Sequence, residues 1–254
     1  MKRKSSGSSS SSKRPRSSNY APPLSSVKRP GKRAYQPRQR MGEVKGVDVS
    51  IDATGVLATT GTNGNIILLN GVPPGSASYN RIGRKVFCKS VRVFGQLEVV
   101  STPATTTSNM LGQVVRGVLV WDKQPSSGSI PTFETIFGVT AQDGTESSSV
   151  LAPLRYDNMD RFKILKDTCI DQNPGNNADG AAASAVNDIR SFDEYYSFKK
   201  GKYESTYGST TNPMTITDVS TGALYLVFRA QTNTGGDATV QVLSNSFARF
   251  RYTD

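Results

Sequence analysis

The chain has 254 residues, with 31 Lys and Arg against 20 Asp and Glu and no histidine. Without imidazole, histidine-based triads, histidine-dependent cysteine nucleophiles and histidine zinc sites are excluded, and Cys88 and Cys169 are too few to complete a structural zinc site. The longest apolar run, Ala223 to Phe228, is six residues, against about 20 needed to span a bilayer, so no membrane partner is expected.

The charge is unevenly placed. Residues 1–40 hold twelve cations, Lys2, Arg3, Lys4, Lys13, Arg14, Arg16, Lys28, Arg29, Lys32, Arg33, Arg38 and Arg40, and no acid. The rest of the chain holds 19 basic and 20 acidic groups, a net of −1. Eleven serines fall in the first 26 residues, and the arm through Arg40 holds five prolines, Pro15, Pro22, Pro23, Pro30 and Pro37. Such a segment buries too little apolar area to offset its chain entropy, so 1–40 is expected to be a disordered basic arm until it meets a partner. No apolar h-region follows its basic start, so it does not read as a secretory signal. Lys2-Arg3-Lys4 and Lys13-Arg14-Pro15-Arg16, separated by eight residues, have the form of a bipartite nuclear import signal. The same cations would neutralise phosphates and release counterions, giving salt-dependent, sequence-independent binding to nucleic acid.

From Val44 the composition changes to short β-branched and aromatic runs separated by turn residues, the pattern of one all-β domain over 41–254. Eight strands are expected, near 44–51, 64–70, 85–100, 112–122, 160–172, 191–203, 221–231 and 239–253. In the seventh, Leu224, Leu226, Phe228 and Ala230 share one face and Tyr225, Val227 and Arg229 the other, which predicts one packed face and one wetter face. A short helix is expected over Pro131–Phe137, with Phe133, Ile136 and Phe137 on one side. Asn173–Ala185 and Ser205–Pro213 read as long loops. Eight antiparallel strands, one small helix and a basic arm predict a single eight-stranded antiparallel jelly roll, a two-sheet sandwich. The two cysteines read as free buried thiols.

Within the body, Arg84, Lys85, Lys89 and Arg92 surround the third strand. Lys199, Lys200 and Lys202 end the sixth, and Arg249 and Arg251 share a face of the eighth. Should these strands be neighbours, they make a basic sheet face that continues the arm's phosphate contacts. Tyr195, Tyr196, Phe198, Phe250 and Tyr252 are interleaved with them, and some could stack on bases. Candidates for catalysis are poor. Asp193 and Glu194 are adjacent and point to opposite faces of a strand, Asp157 and Asp160 belong to a turn, and Gly61-Thr62-Asn63-Gly64 lacks the Gly-Lys-Ser/Thr ending of a phosphate loop. Neither an enzyme nor a cofactor is expected.

Several of these stretches also match a family pattern. Asn80-Arg81-Ile82-Gly83 with Lys89-Ser90-Val91, Val93 and Gly95 resembles the first core segment of geminivirus coat proteins. The run Gly117–Asp122 and the short helix after it, Asp160–Lys166, Gly201-Lys202-Tyr203-Glu204, and Gly222–Leu226 before a strand of alternating arginines and aromatics follow in the same order. The resemblance covers most of 80–253. It implies a jelly-roll capsid protein of a geminivirus or a geminivirus-like circular single-stranded DNA virus such as a genomovirus. It further implies a homo-oligomeric shell, icosahedral (T=1) or geminate, in the virion, with single-stranded DNA and the host nuclear import machinery as partners in the host nucleus. The cysteine and histidine cluster of some plant members has no counterpart in this chain. A satellite-like RNA virus capsid, or a β-sandwich that binds nucleic acid or glycans without assembling, is the alternative.

Overall fold

The computed structural model describes residues 43–51, 57, 65–101, 113–125, 128–140, 146–147, 149–172, 189–199, 201–208, 214–231 and 238–254. These fall in one compact unit, Met41–Asp254. The twelve arm cations, Lys200 and the stretch 173–188 lie outside the described residues.

In chain order the elements are β1 (Lys45–Ser50), β2 (Asn65–Leu68), β3 (Lys85–Ser101), β4 (Gln113–Asp122), α1 (Phe133–Ile136), β5 (Val139–Thr140), β6 (Glu146–Ser147), β7 (Phe162–Gln172), β8 (Ile189–Ser197), β9 (Glu204–Tyr207), β10 (Val219–Thr221), β11 (Ala223–Ala230), β12 (Ala238–Val242) and β13 (Phe247–Thr253). Eight of them form a nested set of antiparallel pairs: β1 with β13, β2 with β11, β3 with β8 and β4 with β7. This is one long ribbon folded back on itself. Wrapping it brings β13 beside β3 and β11 beside β4, giving a four-stranded sheet β2-β11-β4-β7 and a seven-stranded sheet in which β1, β13, β3 and β8 lie side by side, β9 and β12 pair with the two ends of β3, and β10 pairs with β9. That connectivity is an all-β, two-sheet jelly roll, and its eight strands are the eight expected from the sequence.

The core lies between the sheets. Val91, Val93 and Leu97 of β3 and Phe250 and Tyr252 of β13 meet Leu119 and Trp121 of β4 and Leu224, Leu226 and Phe228 of β11, all buried. Each such side chain contributes about 1.5–3 kcal/mol by leaving water. A bulge in β3 makes this possible: Arg251 pairs with Ser90 and Tyr252 with Cys88, so Lys89 is the extra residue. Without it, Cys88 and Val91 could not both face inward.

Six expectations need correction. β11 does not have a wetter face, because all eight of its residues are buried. The β4–β7 connection lies over its outer side: Arg229 sits 4.8 Å from the centroid of the Phe133 ring, and Arg116 4.6 Å from that of Phe137. Arg116 also donates to the carbonyls of Val150 (3.1 Å) and Ala152 (2.6 Å) and forks onto Asp167. The sixth expected strand stops at Ser197, because Gly201 takes φ +70° in a turn closed by Lys202 N–H donating to Lys199 O at 3.1 Å. Ser205–Tyr207 is strand, in β9, where a loop was expected. The last expected strand is two, β12 and β13, separated by a turn at 243–246. The helix is only Phe133–Ile136, capped by Thr132, though Phe133, Ile136 and Phe137 are buried as expected. Both cysteines are free, but only Cys88 is buried; Cys169 faces out from the edge strand β7. Among the described residues no helix is long and apolar enough to cross a membrane.

Candidate nucleic-acid interface

Strands β1, β13, β3 and β8 place four outward rows side by side on the first sheet. Arg249 of β13 is directly opposite Arg92 of β3 and Asp48 of β1; Arg251 is opposite Ser90, and Arg92 is opposite Tyr195 of β8. Arg249 and Arg251 thus share a face, as the spacing of two predicts. Together with Ser90, Arg92, Asp193 and Tyr195 they line a concavity of about 530 Å³.

Two of the three arginines are already engaged. Arg92 forks onto Asp193, Nε to Oδ1 at 2.8 Å and Nη2 to Oδ2 at 2.5 Å. Arg249 forks onto Asp48, Nε to Oδ1 at 2.7 Å and Nη2 to Oδ2 at 2.8 Å. These hydrogen bonds hold both carboxyls below the usual carboxylate range. The face therefore carries three arginines opposed by two aspartates, with Arg251 exposed. Each carboxylate occupies the planar fork that a phosphate would use. The two pairings are not legible in the sequence, because Asp193 stands 101 residues from Arg92 and Asp48 201 from Arg249, and only strand register joins them. Asp193 and Glu194 do point to opposite faces: Glu194 reaches inward to Lys166 of β7, bridging the two sheets at their open edge.

The remaining expected cations are dispersed. Lys85 is exposed and pairs with Glu204 at 2.8 Å, Lys89 is half-buried in the bulge, and Lys199 and Lys202 are exposed at the turn after β8. Near that turn Tyr203 is buried against Trp121 (5.2 Å) and Phe198 (5.1 Å), with the Lys163 ammonium 5.4 Å from its ring centroid. Of the aromatics expected to meet bases, Phe250 and Tyr252 are fully buried core and Phe198 is buried. Tyr196 is half-buried against Phe198 (5.1 Å). Tyr195, 57 % exposed, stands at the concavity and can stack. Among the described residues no three carboxylates or cysteines converge to hold a metal.

Comparison with known proteins gives unequal results. No curated protein matches the chain. Solved structures with likeness include the VP1 pentamer of Human Polyomavirus 6, at 11 % identity over 84 % of this chain and 94 % of that one, TM-score 0.19. Another is titled "KBV activated particle at acidic pH", at 14 % identity over 95 % of this chain and 90 % of that one, TM-score 0.20. Such low scores add nothing to the strand pairing described above. A family model, by contrast, matches residues 1–249, a span that takes in the basic leading segment and all the strands up to the first half of β13. On that match the chain belongs to the Geminivirus coat protein/nuclear export factor BR1 family.

Proposed function

We propose that this viral coat protein self-assembles into a closed shell and packages single-stranded DNA, with residues 1–40 as the genome-binding arm and the jelly roll 41–254 as the shell-forming domain. The observation that carries the reading is the segregation of charge, twelve cations without an acid in the first 40 residues against a net of −1 in the remainder. A nearly neutral body packs against copies of itself without long-range repulsion, while the arm neutralises phosphates. Sixty copies would bring about 720 arm charges, a scale of several hundred to about a thousand nucleotides. The outer face of the first sheet adds Arg251, while Arg92 and Arg249 stay held by Asp193 and Asp48 at neutral pH. Lys2–Lys4 with Lys13, Arg14 and Arg16 are proposed to engage the nuclear import machinery before assembly. The role is structural, without catalysis.

Electron microscopy of the full-length chain mixed with single-stranded DNA or RNA at low salt tests this. Closed particles protecting DNA from nuclease are expected; uniform monomers at high concentration would refute the shell, and protection of RNA alone would refute the DNA genome. Removing 1–40 should abolish packaging and leave a folded β domain.

A further inference from the structure

Strand β8 is an edge: among the described residues it pairs only with β3. Ser197 lies opposite Ser90, and one step on the Phe198 N–H donates to Lys89 O at 2.9 Å. Main-chain groups in an antiparallel pair alternate in direction, so Arg190, Phe192, Glu194 and Tyr196 turn theirs toward β3. Ile189, Ser191, Asp193, Tyr195 and Ser197 turn their N–H and C=O groups away from it. Such a row is a template for another strand.

The usual protections of a free edge are incomplete. The stretch Ile189–Ser197 holds no proline, glycine or lysine, and Ile189 and Tyr195, on the outer face of the sheet, are 49 % and 57 % exposed. On the opposite face Phe192, with Ile170, Leu226 and Phe228, lines an apolar cleft left open between the two sheets. The charges in the row of Phe192 are Arg190 and Glu194, of opposite sign and two residues to either side of it. Charges in the inward row normally keep a second strand away. These two attract it when the incoming strand is an antiparallel copy of β8.

Symmetry fixes the register. With Phe192 opposite Phe192 of a second copy, Arg190 of each strand stands opposite Glu194 of the other, Ile189 opposite Tyr195, and Ser191 opposite Asp193. The two free rows then meet in about eight main-chain hydrogen bonds, and each opposed side-chain pair occurs twice. Centring on Asp193 or Glu194 instead sets that carboxylate against itself, and centring on Ser191 runs Tyr195 past the start of the partner strand. Glu194 already holds Lys166 of β7, and an ionised carboxylate has acceptor sites for both cations. The two Asp193 carboxylates become diagonal neighbours, about 7–8 Å apart, each forked by its own Arg92.

We propose that β8 is the seam of an isologous two-fold contact between copies of this chain, β8 adding to β8 in the register centred on Phe192. The contact joins the first sheets of two copies into one and closes the cleft at Phe192. It rests on the reading that copies assemble, and assigns one contact that the shell reading leaves open.

Disulfide trapping tests the register. In full-length chains carrying Cys169→Ser, which removes the exposed native thiol, Ile189→Cys and Tyr195→Cys are mixed and mildly oxidised. Opposed positions lie about 5.5 Å apart between Cα atoms, within disulfide reach, whereas the two copies of position 189, or of position 195, lie about 20 Å apart. The mixture should give a cross-linked dimer, and neither variant alone should. Adding Arg190→Glu to both variants sets two like-charged pairs in the seam and should lower the yield at least about fivefold at limiting protein. A mixture without the cross-link, a cross-link from either variant alone, or a yield untouched by Arg190→Glu would overturn the contact. If circular dichroism shows either variant unfolded, Ser191→Cys with Asp193→Cys, opposite each other in the same register, takes its place with the same outcomes. Electron microscopy with single-stranded DNA separates the two readings: a parent chain that never assembles defeats the shell, whereas shells without the mixed cross-link defeat only the seam.

Discussion

Replacing Asp48 and Asp193 together with alanine turns the concave face of the first sheet from three arginines opposed by two carboxylates into three unopposed arginines. Each freed guanidinium can take one phosphate of a single strand, and each such contact steepens the dependence of log affinity on log salt by about 0.7. Two contacts add about 1.4, so on lowering salt from 200 to 50 mM the variant should gain about sevenfold more affinity than the parent. Fluorescence anisotropy with a labelled oligonucleotide, on chains lacking residues 1–40 so that the arm does not mask the difference, reads this directly. The effect has a pH signature with a definite sign. Both carboxyls titrate below the usual range in the folded protein, so the parent keeps its ion pairs above about pH 4 and releases its arginines only as pH falls through those lowered values. Parent and variant should converge there and differ fully above. An unchanged slope and affinity at pH 7 would show that nucleic acid does not use this face.

Asp254→Ala should cost about 3 kcal/mol in urea unfolding at pH 7, because the buried Lys45 ammonium loses its counter-charge. Burial works to raise the Asp254 pKa, but the Ile82 N–H and Lys45 together hold it below the ordinary value; the parent's advantage is therefore present above about pH 4 and lost as pH falls through the lowered folded value. Gly222→Ala should cost about 3 kcal/mol by the same assay, since φ is +72° and a Cβ would lie 2.3 Å from Glu204 O and 2.7 Å from the Trp121 ring. A thiol-reactive chromophore should titrate one cysteine per native chain and two after denaturation: burial pushes the Cys88 thiol up to about 12, while Cys169 is exposed.

Local composition carries a good deal of this protein. Short β-branched and aromatic runs between turn residues located the jelly-roll strands, several of them with the period-two alternation of a strand that has one face on a core, and the acid-free run of cations marked residues 1–40 without reference to any fold. Where a strand is interrupted the signal is weaker: the turn at Gly201 and the break between β12 and β13 lie inside stretches that still look strand-like. Three matters were decided only by tertiary structure. The Lys89 bulge sets which residues of β3 face inward, since one inserted residue flips the parity of everything after it. The outer side of β11 is dry because a connection far earlier in the chain, around Phe133, folds over Arg229. Asp48 and Asp193 meet their arginines through strand register alone. Charge and periodicity are properties of neighbouring residues and survive in a linear sequence, whereas the balance of three arginines and two aspartates on one sheet face exists only once strands distant in the chain lie side by side.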